Sequence, residues 1–325
     1  MDFEYTEEQK MVRRSVREFL DKEVEPAIKE GDKRAFTHDE LVDWRKKLIP
    51  IGFGSQDFTS MAGHEDSDPI TSAIIYEEVF GCWGGLAAAI YLAGAASLVA
   101  FGSDNLRARL GDHLRSGGLI GCGALTEPGA GSDNRAMTTK AVLNGDHYII
   151  NGTKTWVSNA PIADVVMLLC KDDNDQFTQI LVDREESPFE TSELHKLGWR
   201  ACPIGEVYFD NCRVPKENNV FLMFSEMMAS GQVEQELEKR GLPKDTLTRM
   251  GEMFARGPLG ALSYARTTIG HFGVGISSRA TDAAISYAKE RVQFGQKDLS
   301  SRGGRRPTWR SQTPGDKRAS LAWTN

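Results

Sequence analysis

The stretch 124–158 constrains this chain more than any other. It opens with Leu125-Thr126-Glu127-Pro128-Gly129-Ala130-Gly131-Ser132-Asp133, which gathers hydroxyl donors and small residues around a tight turn. Such a turn lets backbone N–H groups approach an anion or a flat polar ring. The stretch closes with Gly152-Thr153-Lys154-Thr155-Trp156-Val157-Ser158, an aromatic followed two residues later by a hydroxyl. On a strand Trp156 and Ser158 point to the same side, so a stacking surface and a hydrogen-bond donor lie together.

Strand patterns surround this stretch. Asn144-Gly145 and Asn151-Gly152 both carry the type I′ hairpin signal, and 165–169, 177–182 and 206–209 read as further short strands. Together they predict a small antiparallel β domain. The flanks read as helices. Thr6-Glu7-Glu8-Gln9 has capping-box form, with Met11, Val12, Val16, Phe19 and Leu20 on one face before Pro26. A second start lies at Thr37-His38-Asp39-Glu40, and the alanine-rich span 70–110 predicts a closely packed pair of helices. Leu262, Ile269, Phe272, Ile276, Ala280, Ala283 and Tyr287 mark one stripe of a long later helix. The expected fold is therefore α+β. A helical N-terminal domain covers 1–118 and a central antiparallel β domain covers 119–220. A polar insertion with the first long helix of an incomplete C-terminal helical bundle covers 221–296, and an atypical tail covers 297–325.

Composition narrows the partners. With 325 residues, 40% of them hydrophobic, the chain is long enough for two or three domains with their own cores. Acidic residues outnumber basic ones 46 to 39, which argues against a nucleic-acid binder working by bulk charge. Five cysteines without a CxxC pair argue against disulfides and zinc, and for a reducing, cytoplasmic setting. The start Met1-Asp2-Phe3-Glu4 lacks signal-peptide character, and no run of about 20 apolar residues predicts a membrane span. His195 and His271 stand without ligand or triad spacing, so no metal site is expected. Gly273-Val274-Gly275 sits inside a helical pattern with no strand before it, which favours a close-packing face over a dinucleotide loop. The charged run 232–240 reads as a surface helix or lid with a solvated face.

The two blocks of 124–158 resemble the fingerprint of the acyl-CoA dehydrogenase family. Lys196-Leu197-Gly198-Trp199-Arg200, Arg213-Val214-Pro215 and Tyr287-Ala288-Lys289-Glu290-Arg291-Val292-Gln293-Phe294-Gly295 match further family segments in order and spacing. The resemblance covers about residues 1 to 296. It implies an FAD-dependent enzyme that converts an acyl-CoA thioester to its trans-2-enoyl form, passes electrons to an electron-transfer flavoprotein, and assembles as a homotetramer. It also implies that one alanine-rich helix lines an acyl pocket, which Tyr91 and Leu92 would shorten.

By the same resemblance, Leu125 and Thr126 supply donors to the flavin's pyrimidine edge, and Ser132 contacts the pyrophosphate side and the neighbouring CoA ester. Trp156 covers one ring face, Val157 accompanies it, and Ser158 takes the place whose hydroxyl lies near N5. Arg266 falls where the family holds the CoA portion, with Ser263 at a position that is often acidic. Arg291 and Phe294 match residues that reach the FAD of a neighbouring subunit, where a planar guanidinium suits a diphosphate. The resemblance names no catalytic base here. One family location is Ala265, the other lies in bundle helices beyond the matched region, and Glu252 and Asp282 match neither. The loss of pattern after residue 296, into arginine, serine and glycine, predicts a frame change with early termination and weak or absent turnover. A flavin monooxygenase or nitroalkane oxidase on the same scaffold, and a catalytically silent FAD- or CoA-binding protein, are the alternatives.

Overall fold

The structure, a computed structural model, describes residues 4–54, 68–231, 260–293 and 296–297; the side chains of 227–228, 260–265, 267 and 296–297 fall outside that description. The predicted charged run 232–240 and the tail from 298 lie outside the described residues. The chain forms two compact units, one from Met1–Ile28, Ser67–Gly84 and Leu262–Asn325, the other from Lys29–Asp66 and Gly85–Ala261.

The first unit is helical. Its α1, Glu7–Glu23, starts at Thr6, whose hydroxyl accepts from Gln9 N (3.2 Å) while the Gln9 side chain accepts from Thr6 N (3.0 Å). This capping box satisfies two N–H groups that the first turn would otherwise leave open. Val16 and Leu20 are buried, whereas Met11 is 57% exposed and lies off the packed face. A second helix, α2, follows at once over Glu25–Gly31, so Pro26 does not end helical structure but sits in the first turn of the next helix, where its missing N–H costs nothing. Helix α1 packs on α4, Pro69–Cys82. There Arg13 Nε (2.7 Å) and Arg17 Nε (2.8 Å) both donate to Glu78, whose side chain is 2% exposed.

The long helix of this unit, α8, spans Gly260–Glu290. Of the predicted stripe, only Phe272 lies on the buried face among the described side chains. Thr268, His271, Phe272 and Gly275 are buried, while Ile269, Ile276 and Tyr287 are exposed. The reason is backbone proximity. A Cβ on Gly275 would lie 2.0 Å from the Glu77 carbonyl oxygen, and one on Gly81 would lie 2.7 Å from the Gly275 oxygen. Helices that approach this closely put glycine at the contact and larger residues beside it, and Phe272 stacks on Phe80 there.

The second unit carries the sheet, with α3 (His38–Leu48), α5 (Gly84–Leu92), α6 (Asp104–Arg115) and α7 (Val220–Ala229). Thr37 caps α3 at the predicted second start, through a capping box with Glu40. The 18-residue window Gly84–Phe101 passes the length and composition test for a membrane span, yet it is mostly buried within the fold. It reads as core.

Seven strands form one sheet: β1 Gly121–Ala124, β2 Lys140–Asn144, β3 His147–Ser158, β4 Val165–Lys171, β5 Phe177–Asp183, β6 Glu190–Glu193 and β7 Ile204–Pro215. The order is β1-β4-β2-β3-β7-β6, with β5 also paired to β4. Most pairs are antiparallel as predicted, but β1 runs parallel to β4, from Gly121 opposite Val165 to Ala124 opposite Leu168, and β2 meets β4 in parallel at its end. The sheet is mixed. Along β4 the burial alternates between faces: Val165 packs with Leu106, Leu110 and Leu181, whereas Val166, Leu168 and Cys170 pack with Ile150, Val207 and Phe209.

The two Asn-Gly signals have different fates. Asn144 pairs with His147, so Gly145 and Asp146 span a two-residue hairpin; only Gly145 takes positive φ (65°), the type II′ rather than the predicted I′ pattern. Asn151-Gly152 is not a turn. Strand β3 runs through it with a register shift, and the Asn151 side chain accepts Asn211 N (2.8 Å) across the irregularity. Gly152 (φ 149°) is required because a Cβ there would lie 2.4 Å from Thr139 Oγ1.

Candidate flavin-facing edge

Where β1 ends, Leu125 and Thr126 leave the sheet, and Glu127 and Ala130 exchange backbone hydrogen bonds (3.0 and 3.1 Å) around Pro128-Gly129. Proline presets φ for such a corner. No atom lies within 4 Å of a Cβ built on Gly129 or Gly131, and Ser132 is exposed, so the rim beyond the turn is open. The Asp133 carboxylate accepts Arg135 N (3.1 Å) and closes the segment.

The second block is joined to the first by one backbone bond, Thr155 N to Thr126 O at 2.8 Å. Directly after it, β3 shifts register between Lys154 and Val157, and Trp156 adopts φ 59°. The sequence predicts a regular strand here; the structure has a bulge, a device that re-aims a side chain and recurs beside active sites. Trp156 is 62% exposed, Val157 is buried and Ser158 is half-buried. The N–H and hydroxyl of Thr126 have no protein partner among the described residues, although Thr126 is half-buried. Unspent donors, an uncovered indole and an open glycine-rich rim thus share one edge. They fit a flat heterocycle carrying an anionic tail.

Ser158 borders an open cleft with Leu92, Trp199, Cys202 and Ile204. Asn159, at φ 64°, holds the end of β3: its N donates to Pro203 O (2.8 Å) and its Nδ2 to Ala89 O on α5 (2.8 Å). Lys196 Nζ donates to Cys202 O (2.7 Å). Burial pushes the Cys202 thiol up to about 11 against the opposing pull of Lys196 and Ser158, so it is protonated at neutral pH and is no nucleophile.

The polar groups that bind the two blocks together form no motif in the sequence. Lys154 Nζ meets Glu127 Oε1 at 2.9 Å with side chains 0% and 4% exposed, and Nζ also donates to Leu125 O at 2.9 Å. Glu127 further accepts Thr139 N (2.9 Å), Thr138 N (2.7 Å) and Thr138 Oγ1 (2.9 Å). Burial alone would raise the Glu127 carboxyl, but hydrogen bonds from Thr138, Thr139 and Lys154 outweigh it and hold the pKa at about 2. Burial lowers the Lys154 pKa, with the Glu127 bond opposing. The adjacent hydroxyl residues Thr138-Thr139, 11 and 12 positions after Glu127, are the available signal.

The remaining predicted residues belong to the helical unit. Arg266 is exposed on α8, and Arg291, also exposed, stacks over Tyr287 with 5.5 Å from Cζ to the ring centroid. The side chain of Ser263 and all of Phe294 lie outside the described residues. His271 is not solitary: its Nδ1 lies 3.8 Å from the buried Glu77 carboxylate. Among the described residues no group of three metal-ligating side chains converges.

Comparison with known proteins bears on the fold and the family. Residues 6–118 match the acyl-CoA dehydrogenase N-terminal domain and 122–212 the acyl-CoA dehydrogenase middle domain. The chain is 34% identical to a probable acyl-CoA dehydrogenase, YngJ, of Bacillus subtilis, over 91% of this chain and 72% of that protein. It is 31% identical to a glutaryl-CoA dehydrogenase of Desulfococcus multivorans, over 91% of this chain and 71% of the relative. A Bacillus anthracis acyl-CoA dehydrogenase solved in complex with FAD superposes with a TM-score of 0.69 at 25% identity, covering 91% of this chain and 48% of that one. The chain belongs to the acyl-CoA dehydrogenase family.

Proposed function

We propose that this chain binds FAD at the Thr126–Trp156 edge and serves the α,β-dehydrogenation of an acyl-CoA thioester to its trans-2-enoyl product. The observation that carries the proposal is the pairing of Thr126's unspent donors with the uncovered Trp156, held together by the Thr155–Thr126 bond. Leu125 and Thr126 orient the ring's polar edge, Trp156 and Val157 flank its face, Ser132 serves the pyrophosphate side, and Ser158 places a hydroxyl at the reacting side. FAD, when bound, supplies the two-electron acceptor for hydride from the substrate's β-carbon. Arg266 and Ser263 are assigned to the CoA portion, and Arg291 and Phe294 to the FAD of a neighbouring subunit in a homotetramer. Electron-transfer flavoprotein is the assigned acceptor and the cytoplasm the assigned setting.

No carboxylate lines the Ser158 cleft among the described residues, and we assign no catalytic base. Removing the α-proton requires one. The expected behaviour is therefore flavin retention with slow bleaching by substrate. The test is the visible spectrum of the purified chain before and after anaerobic addition of short, medium and aromatic acyl-CoAs. A chain without a flavin band refutes the cofactor assignment. A band that persists with every thioester refutes the dehydrogenation assignment while leaving the cofactor in place.

A further inference from the structure

The Glu127–Lys154 ion pair lies wholly inside the second unit, yet it joins the residues on which the flavin reading rests. Its energetics argue against a stabilising purpose. Two charges withdrawn from water repay their desolvation only with full hydrogen bonding, and apolar replacements of buried pairs are often as stable. What the pair does supply is geometry. Lys154 fixes the Leu125 carbonyl, one residue before Thr126, and stands two residues before Trp156. Glu127, the residue after Thr126, accepts the Thr138 and Thr139 amides. Thr139 in turn is the residue against which Gly152 of β3 is packed. Three chain segments thus meet at one carboxylate–ammonium contact, directly behind the exposed edge. The Thr155–Thr126 backbone bond is one peptide away from both partners.

We propose that Glu127 and Lys154 are positioning residues for flavin binding: their contact sets the register between the Leu125–Thr126 edge and the Trp156 bulge. This rests on the flavin assignment above. Neither side chain touches the ligand edge, since both are spent inward. Their effect passes through the Leu125 carbonyl, the Thr138–Thr139 amides and the Thr155–Thr126 bond. A neutral pair of the same shape would preserve packing and lose the directional link.

The test uses the full chain freed of flavin, with Glu127→Gln, and with Glu127→Gln combined with Lys154→Met so that no buried charge is left unpaired. FAD is titrated by quenching of its fluorescence, well below each variant's Tm, and amide hydrogen exchange is followed at Thr139 and Thr155 without FAD. The expected result is a folded double variant whose FAD affinity falls at least about tenfold, the scale of one lost charge-assisted hydrogen bond. The Thr139 and Thr155 amides exchange faster in it. A folded double variant with unchanged exchange and affinity within about threefold of the wild type overturns the proposal. Should the double variant not fold, Glu127→Gln with wild-type exchange and affinity overturns it equally. The two readings separate cleanly: a wild-type chain that takes up no FAD refutes the flavin assignment, and the exchange comparison, which involves no flavin, judges the positioning role.

Discussion

Two glycines on α8, two residues apart, should respond to alanine with opposite signs. A glycine-to-alanine change inside a helix gains about 1 kcal/mol, because alanine loses less backbone entropy. Gly273 is exposed and a Cβ there meets no atom within 4 Å, so Gly273→Ala should collect that gain in full. Gly275 faces the backbone of α4: its added Cβ would sit 2.0 Å from Glu77 O, 2.7 Å from Glu77 C and 2.9 Å from Glu77 Cα. A backbone cannot swing aside as a side chain can. Ordinary carbon contacts lie at about 3.5 Å or more, so the helices must part by on the order of 1.5 Å. That separation loosens the Phe272–Phe80 stack and the approach at Gly81. Overpacking of this kind costs about 1–3 kcal/mol, and a clash against backbone belongs at the upper end. After the helix gain is subtracted, Gly275→Ala should destabilise by about 2 kcal/mol, a difference of about 3 kcal/mol between the variants. Urea unfolding followed by far-UV circular dichroism measures both. Equal stabilities for the two variants would show that α4 and α8 do not meet at Gly275, and the packing argument would fail.

Other outcomes follow from the second unit. Gly152→Ala, which meets Thr139 backbone and side chain at a positive φ, should cost about 2–4 kcal/mol, against about 1 kcal/mol for Gly145→Ala, whose Cβ enters open space; the reverse order in denaturant titrations would refute the bulge assignment. His38 Nε2 lies 3.0 Å from Asp164 Oδ2, and although burial lowers its pKa, Asp164 and Asp39 outweigh that and raise it above 6.5. A raised folded-state pKa stabilises fully below the unfolded value and is lost as pH climbs through the folded one. Tm should therefore fall from pH 6 toward alkaline pH, and His38→Gln should flatten that slope; a wild-type slope retained by the variant would exclude His38 as its source.

How much of this was legible in the sequence depended on whether the signal was local. Both capping boxes are local, and Thr6 and Thr37 start helices as their sequences predict. The strands at 165–169 and 177–182 were visible because β-favouring runs needed no knowledge of partners. The parallel pairing of β1 with β4 was not, since it joins residues about forty positions apart and leaves no mark on either strand. Asn151-Gly152 misled because an Asn-Gly pair serves a turn and a bulge equally well locally; only the pairing of β3 with β7, continuing to Ser158 opposite Ile204, decides between them. On α8 the predicted stripe was a true periodicity, but only Phe272 of its described members is buried. The contact with α4 is made by Phe272 of that stripe together with Gly275, which lies outside it.

The candidate site shows the same limit in chemical form. Read as a string, the first block advertises its charges, Glu127 and Asp133, and the second its charge, Lys154. The structure spends all three on the protein: Glu127 and Lys154 on each other and on Leu125, Thr138 and Thr139, Asp133 on Arg135. What remains unspent at the edge is the less conspicuous set, the Thr126 donors and the indole of Trp156. Sequence spacing can bring such groups into one neighbourhood, but it cannot say which polar atoms are already satisfied. Buried polar atoms are costly unless paired, so Glu127 and Lys154 turn inward to complete one another, while exposed Asp133 accepts a backbone N–H of its own turn. Their mutual satisfaction is what leaves the weaker donors at the edge, fixed in place and open to a heterocycle that can use them.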